Sequence, residues 1–135
     1  MGDVAVLIVD DQPLFRRAAT AVVTLTPGFQ VAGEADSGEA AVDLVEQVRP
    51  GLILMDINMG GINGIEATRR ITAAHPDVMV VLLSTYQADD LPADAASSGM
   101  SAYVNKEDFG PAVLRSVWDE RAPAPGGPPA ADGDA

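Results

Sequence analysis

The chain has 135 residues, is 47% apolar but only 4% aromatic, and carries a net charge of −12. That length suits one domain with an aliphatic, alanine-rich core. The acidity argues against sequence-independent DNA binding, which rests on Lys and Arg at phosphates, and the lack of cysteine removes disulfides and thiol chemistry.

Val4–Val9 is a continuous β-branched run, as expected of a strand buried on both faces. Gln12–Thr26 follows with helical period, placing Leu14, Phe15, Ala18, Ala21, Val22 and Leu25 on one face, and Pro27-Gly28 stops it. Gln30–Ala35 is a shorter, less apolar strand expected near an edge. Ser37 can cap a helix to about Val48, with Val42, Val45 and Val48 inward, before Pro50-Gly51 breaks it. Leu52–Met55 is the most apolar run and is expected at the centre. Asn63 can cap the next helix, with Glu66 completing a capping box and Ile65, Ile71 and Ala74 inward. His75-Pro76 ends that helix and reads as surface, because His75 has no acid partner nearby in sequence. Val78–Leu83 is the fourth strand. Leu91–Ser98 reads as a weak, alanine-rich helix ended by Gly99. Ser101–Val104 is a fifth strand, and Asp108–Arg121 a last helix with Val113, Leu114 and Val117 inward. Trp118 reads as packing or an interface residue.

Residues 1–121 therefore form one domain, and 122–135, rich in Ala, Pro and Gly, is expected to be a disordered tail. No basic region precedes the first apolar run, and no apolar stretch approaches the roughly 18 residues of a membrane span. A cytoplasmic protein with no membrane contact is the expectation. Five strands alternating with five helices imply an α/β fold of three layers, a five-stranded parallel sheet covered on both faces. Ligands of such sheets bind at the carboxyl ends of the strands. There this chain places Asp10, Asp11, Asp56, Ser84, Thr85 and Lys106. Crowded carboxylates resist ionisation, and a divalent cation relieves them.

The motifs Val9-Asp10-Asp11, Met55-Asp56-Ile57-Asn58-Met59-Gly60-Gly61-Ile62-Asn63-Gly64, Leu83-Ser84-Thr85 and Tyr103-Val104-Asn105-Lys106 stand in this order at those strand ends. Together they resemble the receiver domain of two-component response regulators over about residues 3 to 121, which implies a (βα)5 fold. The resemblance implies that Asp56 is the phosphoacceptor. It makes Asp10, Asp11, Asp56 and the Asn58 main-chain carbonyl the Mg²⁺ site. Lys106 and Ser84 would bind the phosphoryl oxygens, and Tyr103 would be the aromatic that changes rotamer on activation. It further implies a sensor histidine kinase as donor, met by the first helix through Phe15, Arg16 and Arg17. Tyr86, two residues past Ser84, is expected to slow hydrolysis of the acyl phosphate.

Three positions depart from the family. Gly60 stands in place of a usual proline, which frees the loop. Glu107 stands where proline often follows the lysine, so a trans bond is expected there. Asn63 replaces a more usual Asp or Met. The weak fourth helix argues against family-style dimerisation, so a monomer or weak dimer is expected.

The expected role is a phosphorylation-dependent switch acting through a downstream protein, with no direct nucleic-acid binding by this chain. It is no turnover enzyme, although it assists its own phosphorylation and dephosphorylation. The alternatives are the receiver half of a truncated DNA-binding regulator, and a receiver-like binding module that works unphosphorylated. A phosphohydrolase of the haloacid-dehalogenase type is disfavoured, because Asn58 stands where its general acid belongs.

Overall fold

A strand covered on both faces needs apolar side chains at successive positions, and three of the runs meet that demand. In the computed structural model, which describes residues 3–85 and 91–121, these are β1 (Val4–Val9), β3 (Leu52–Asp56) and β4 (Met79–Ser84). Every residue of β3 and β4 is buried. With β2 (Phe29–Ala35) and β5 (Ala102–Asn105) they make one parallel sheet in the order β2-β1-β3-β4-β5. The most apolar run is central and the Gln30 segment is at an edge, as its composition predicts.

Alternate strand residues supply two cores. Leu7, Val9, Ile53, Met55, Val80 and Leu82 face α2 (Gly38–Val48) and α3 (Gly64–Ala74), packing on Ala41, Val45, Ile65 and Ile71. Val6, Ile8, Leu52, Leu54, Val81 and Leu83 face α1 (Pro13–Leu25) and α4 (Pro111–Asp119), packing on Ala19, Val23 and Leu114. Trp118 is packing: its ring meets Phe29 edge-on at 6.2 Å, and Arg121 stacks on it at 3.8 Å.

Ser37 and Asn63 cap α2 and α3, accepting from Ala40 N at 3.1 Å and Glu66 N at 2.9 Å. The capping box is not reciprocated, because the Glu66 carboxylate turns to Arg69 and Arg70 instead.

The structure corrects four expectations. The segment Leu91–Ser98 holds only a 3-10 turn, Ala93–Ala95, between Pro92 and a run of turns. Its small side chains give a full helix too little area to bury, and Thr72 of α3 holds it by donating to the Ser98 carbonyl at 3.0 Å. The described α-helices therefore number four. The last helix begins at Pro111, not Asp108, after a separate 3-10 turn over Lys106–Asp108. On α1 the buried residues are Ala19 and Val23, whereas Leu14 and Leu25 are 75% and 74% exposed. Apolar residues surround most of that helix, so periodicity could not choose its inner face. On α3, Ala74 is exposed, and Ala67 and Thr68 take the buried positions.

The proposed tail, 122–135, and Tyr86 lie outside the described residues. No helix among the described residues is long and apolar enough to cross a membrane.

Candidate functional site

Strand register brings the polar residues together. Val9 pairs with Met55, so Asp10 and Asp56 follow side by side. Asp56 pairs with Leu83 and Ser84 with Asn105, which sets Ser84 and Lys106 at the same edge. The ladder continues into the site: Asp10 N donates to Ala35 O at 3.1 Å and Ile57 N to Leu83 O at 3.0 Å. The backbone carrying the acids is therefore fixed. Asp10 and Asp56 are 1% and 3% exposed, and Asp11 sits at the rim. One carboxylate oxygen from each of the three lies within 4.8 Å of the other two.

One ammonium serves two of these acids. Lys106 Nζ is 2.8 Å from Asp10 Oδ2 and 3.3 Å from Asp56 Oδ1. It also stands 4.7 Å from the centre of the Phe15 ring, a cation–π contact. Phe109 backs that ring at 6.4 Å. Asp10 Oδ1 accepts from Gln12 N at 2.8 Å, and Asp56 Oδ1 from Asn58 N at 3.3 Å. These favourable contacts do not balance the crowding. Burial, and next the charge of Asp10, push the Asp56 carboxyl up to about 6 despite Lys106 and the Asn58 amide.

The set fits a hard divalent cation. Three carboxylates face one ammonium, and the buried Asp10 Oδ2 accepts no hydrogen bond, its contact with Lys106 being an ion pair out of hydrogen-bond alignment. Mg²⁺ takes oxygen ligands of this kind and keeps part of its water shell.

Ser84 is the buried hydroxyl at the end of β4, and Thr85 beside it is exposed. Ser84 Oγ lies 3.0 Å from the Tyr103 phenol, which also donates to the Ser84 carbonyl at 3.4 Å. Tyr103 is thus turned toward the site.

The loop after Asp56 is tied down from outside its own sequence. Glu39, on the first turn of α2, accepts from Ile62 N at 3.1 Å. That amide holds the Glu39 carboxyl below its ordinary range. Gly61 has a left-handed φ of +74° and packs on the Glu39 carboxylate. A Cβ at Gly64 would overlap the Asp56 carbonyl oxygen, so this glycine lets α3 start against the acid's own backbone. At Gly60 a Cβ would meet nothing, and the Lys106–Glu107 bond is trans.

The residues picked from sequence thus converge: Asp10, Asp11, Asp56, Ser84, Tyr103 and Lys106 share one edge, with Asn58 N bonded to Asp56. Of the three α1 residues, only Arg17 is exposed. Phe15 is half-buried beneath Lys106, and Arg16 turns inward to Asp10 and Glu34. His75 is corrected as well: its Nε2 lies 2.6 Å from Glu46 Oε2, a partner supplied by α2. The Glu39 and Glu46 contacts span 23 and 29 residues, so no local pattern announces them. Arg16 had a usable signal, since a long helical side chain leans back toward the preceding strand end.

The sequence profile of the family described as "Response regulator receiver domain" matches residues 6–117. The transcriptional regulatory protein DegU of Brevibacillus brevis is 38% identical over 114 residues, which are 84% of this chain and 48% of the relative. The response regulator GacA of Pseudomonas viridiflava is 38% identical over 103 residues, 76% of this chain and 48% of its own. The chain thus spans about half the length of these curated relatives. Among solved structures, the signal receiver domain of the putative response regulator NarL from Mycobacterium tuberculosis superposes with a TM-score of 0.81 at 27% identity, covering 88% of this chain and 96% of that one. A LuxR-family two-component response regulator from Aurantimonas sp. SI85-9A1 gives 0.78 at 27%, covering 92% and 91%. A profile match over most of the chain makes it a member of the response-regulator receiver-domain family.

Proposed function

We propose that this chain is a phosphorylation-dependent signalling switch that accepts a phosphoryl group on Asp56 from a histidine kinase. The observation that carries this reading is the cluster of three carboxylates and one lysine at the strand ends. Receiver domains as a family are phosphorylated by such kinases. The reaction transfers the group from a kinase phosphohistidine. An Asp56 oxygen attacks phosphorus, the P–N bond breaks as the O–P bond forms, and the freed imidazole leaves. Water later attacks phosphorus and returns the carboxylate and inorganic phosphate.

This chain's own contribution is position and charge. Asp56 is buried, so its carboxylate carries little water to shed before attack. Mg²⁺, held by Asp11, Asp56 and the Asn58 carbonyl with Asp10 beside it, would supply positive charge for the transferring group. Lys106 leaves Asp56 Oδ1 for a phosphoryl oxygen a short distance away. Ser84, whose Oγ lies 3.0 Å from the Tyr103 phenol, turns its proton to a second phosphoryl oxygen. The added charge then biases the surface around β5 between two arrangements. The exposed Leu14 and Arg17 of α1 are the side chains that meet the kinase.

Acetyl phosphate with Mg²⁺ tests this directly. Intact mass should rise by one phosphoryl group in the wild type and not in Asp56→Asn. A wild type that gains no mass favours a binding module that works unphosphorylated.

A second reading concerns the rest of the polypeptide. One relative is a transcriptional regulatory protein, and this chain spans about half its length. The chain would then be the receiver half of a DNA-binding regulator, a choice that the length of the reading frame decides.

A further inference from the structure

Arg16 closes the first turn of α1, but its guanidinium turns inward; its side chain is 21% exposed. One terminal nitrogen donates to the Asp10 main-chain carbonyl at 2.7 Å. Nε lies 3.3 Å from Glu34 Oε1 on β2. The other Glu34 oxygen accepts from Thr20 Oγ1 at 3.4 Å, which anchors the pair to α1 again. Arg16 thus spans the end of β1, joining the Asp10 carbonyl just past that strand to the neighbouring β2.

That carbonyl belongs to the peptide linking the two acids. Its plane sets where Asp11 begins, because a planar peptide leaves only two soft torsions per residue. The Asp10 side chain is already fixed by Gln12 N and Lys106. Asp11, exposed at the rim, must be aimed by its backbone. A planar guanidinium fork holds two acceptors in fixed relation, which a lysine ammonium on a flexible stem does not. The pairing with Glu34 offsets much of the arginine's charge, so its effect on the acids is geometric.

We infer that Arg16 is a positioning residue for the cation site: it locks the Asp10–Asp11 peptide so that Asp11 stands ready to coordinate Mg²⁺. The inference rests on the proposed metal-dependent switch, and it replaces the expected kinase contact at Arg16 with an inward role.

The test is Mg²⁺ binding by isothermal titration calorimetry on the full chain, without any phosphodonor. Arg16→Ala should raise the Mg²⁺ Kd about tenfold. Glu34→Gln, which keeps the arginine but weakens its anchor, should raise it about threefold. Arg16→Lys should fall between wild type and alanine. With acetyl phosphate, the phosphorylation rate of each variant should return to near wild type at saturating Mg²⁺, a split that general loosening of the fold does not produce. Should Arg16→Ala fail to fold, Arg16→Lys and Glu34→Gln decide alone. Unchanged Kd values, with wild type binding Mg²⁺ normally, overturn the inference and leave the switch standing. A depressed rate that saturating Mg²⁺ does not restore also overturns it. A wild type that binds no Mg²⁺ removes both.

Discussion

Replacing the buried acid should stabilise the metal-free protein, and the effect should depend on pH in a set direction. Asp56 titrates near 3.8 when unperturbed and near 6 here, chiefly because it is buried and then because Asp10 is beside it. The raised value means that the folded state binds the proton more tightly than the unfolded state. Below about pH 4 both states are protonated, and the shift costs nothing. Between about pH 4 and 6 the folded state must give up a proton it favours, so stability falls as pH rises. Above about pH 6 the full cost is present. At about 1.4 kcal/mol per tenfold change in affinity, it is up to about 3 kcal/mol. Asp56→Asn removes the charge and keeps the shape. In EDTA at pH 7.5 the variant should therefore melt roughly 10 °C above wild type. Near pH 4 the gap should close. Saturating Mg²⁺ should narrow it from the other side, because a ligand at a hundred times its Kd stabilises its host by about 2.7 kcal/mol. Differential scanning calorimetry at three pH values, with and without Mg²⁺, gives the answer. A variant no more stable than wild type at pH 7.5, or a gap equal at pH 4 and 7.5, refutes the electrostatic account.

Four further substitutions address the surroundings of Asp56. Ser84→Ala should slow phosphorylation by acetyl phosphate roughly tenfold, the worth of one hydrogen bond to a charged group, and Tyr103→Phe only about threefold, since it removes a neutral one. Equal effects in stopped-flow assays would contradict a direct role for Ser84 at the phosphoryl oxygen with Tyr103 one contact behind it. Gly64→Ala should lose about 2–3 kcal/mol of stability in urea, because its Cβ would overlap the Asp56 carbonyl and must displace either α3 or the acid; wild-type stability would show that the contact relaxes freely. Phe15→Leu keeps apolar bulk but removes the ring under Lys106, worth about 0.5–1 kcal/mol. Its rate with acetyl phosphate should fall roughly two- to fivefold; a defect seen only with a protein kinase would make Phe15 a docking residue instead.

Much of this site can be read in the amino-acid order. A strand buried on both faces must be apolar at successive positions, so its end is marked by the first polar residue. That is why Asp10, Asp56 and Ser84 stand out in the sequence, and why a parallel sheet carries them to one edge. Local capping is equally legible, as Ser37 and Asn63 show. The segment Leu91–Ser98 reads as a weak helix, and its composition does not tell that it holds only one 3-10 turn, Ala93–Ala95.

Periodicity and spacing constrain a residue's own element, and only the packed structure decides which elements become neighbours. The apolar residues ringing α1 permit several buried faces, and contact with the sheet selected Ala19 and Val23 and left Leu14 in water. The tether from Glu39 to Ile62 and the pair of Glu46 with His75 join segments far apart in the chain. The inward turn of Arg16 depends on β2 lying beside β1, because Glu34 must be there to receive it. Amino-acid order alone set which polar groups stand at the strand ends. Tertiary packing decided what holds them in place, because those supports are bonds between neighbours in space that are remote along the chain.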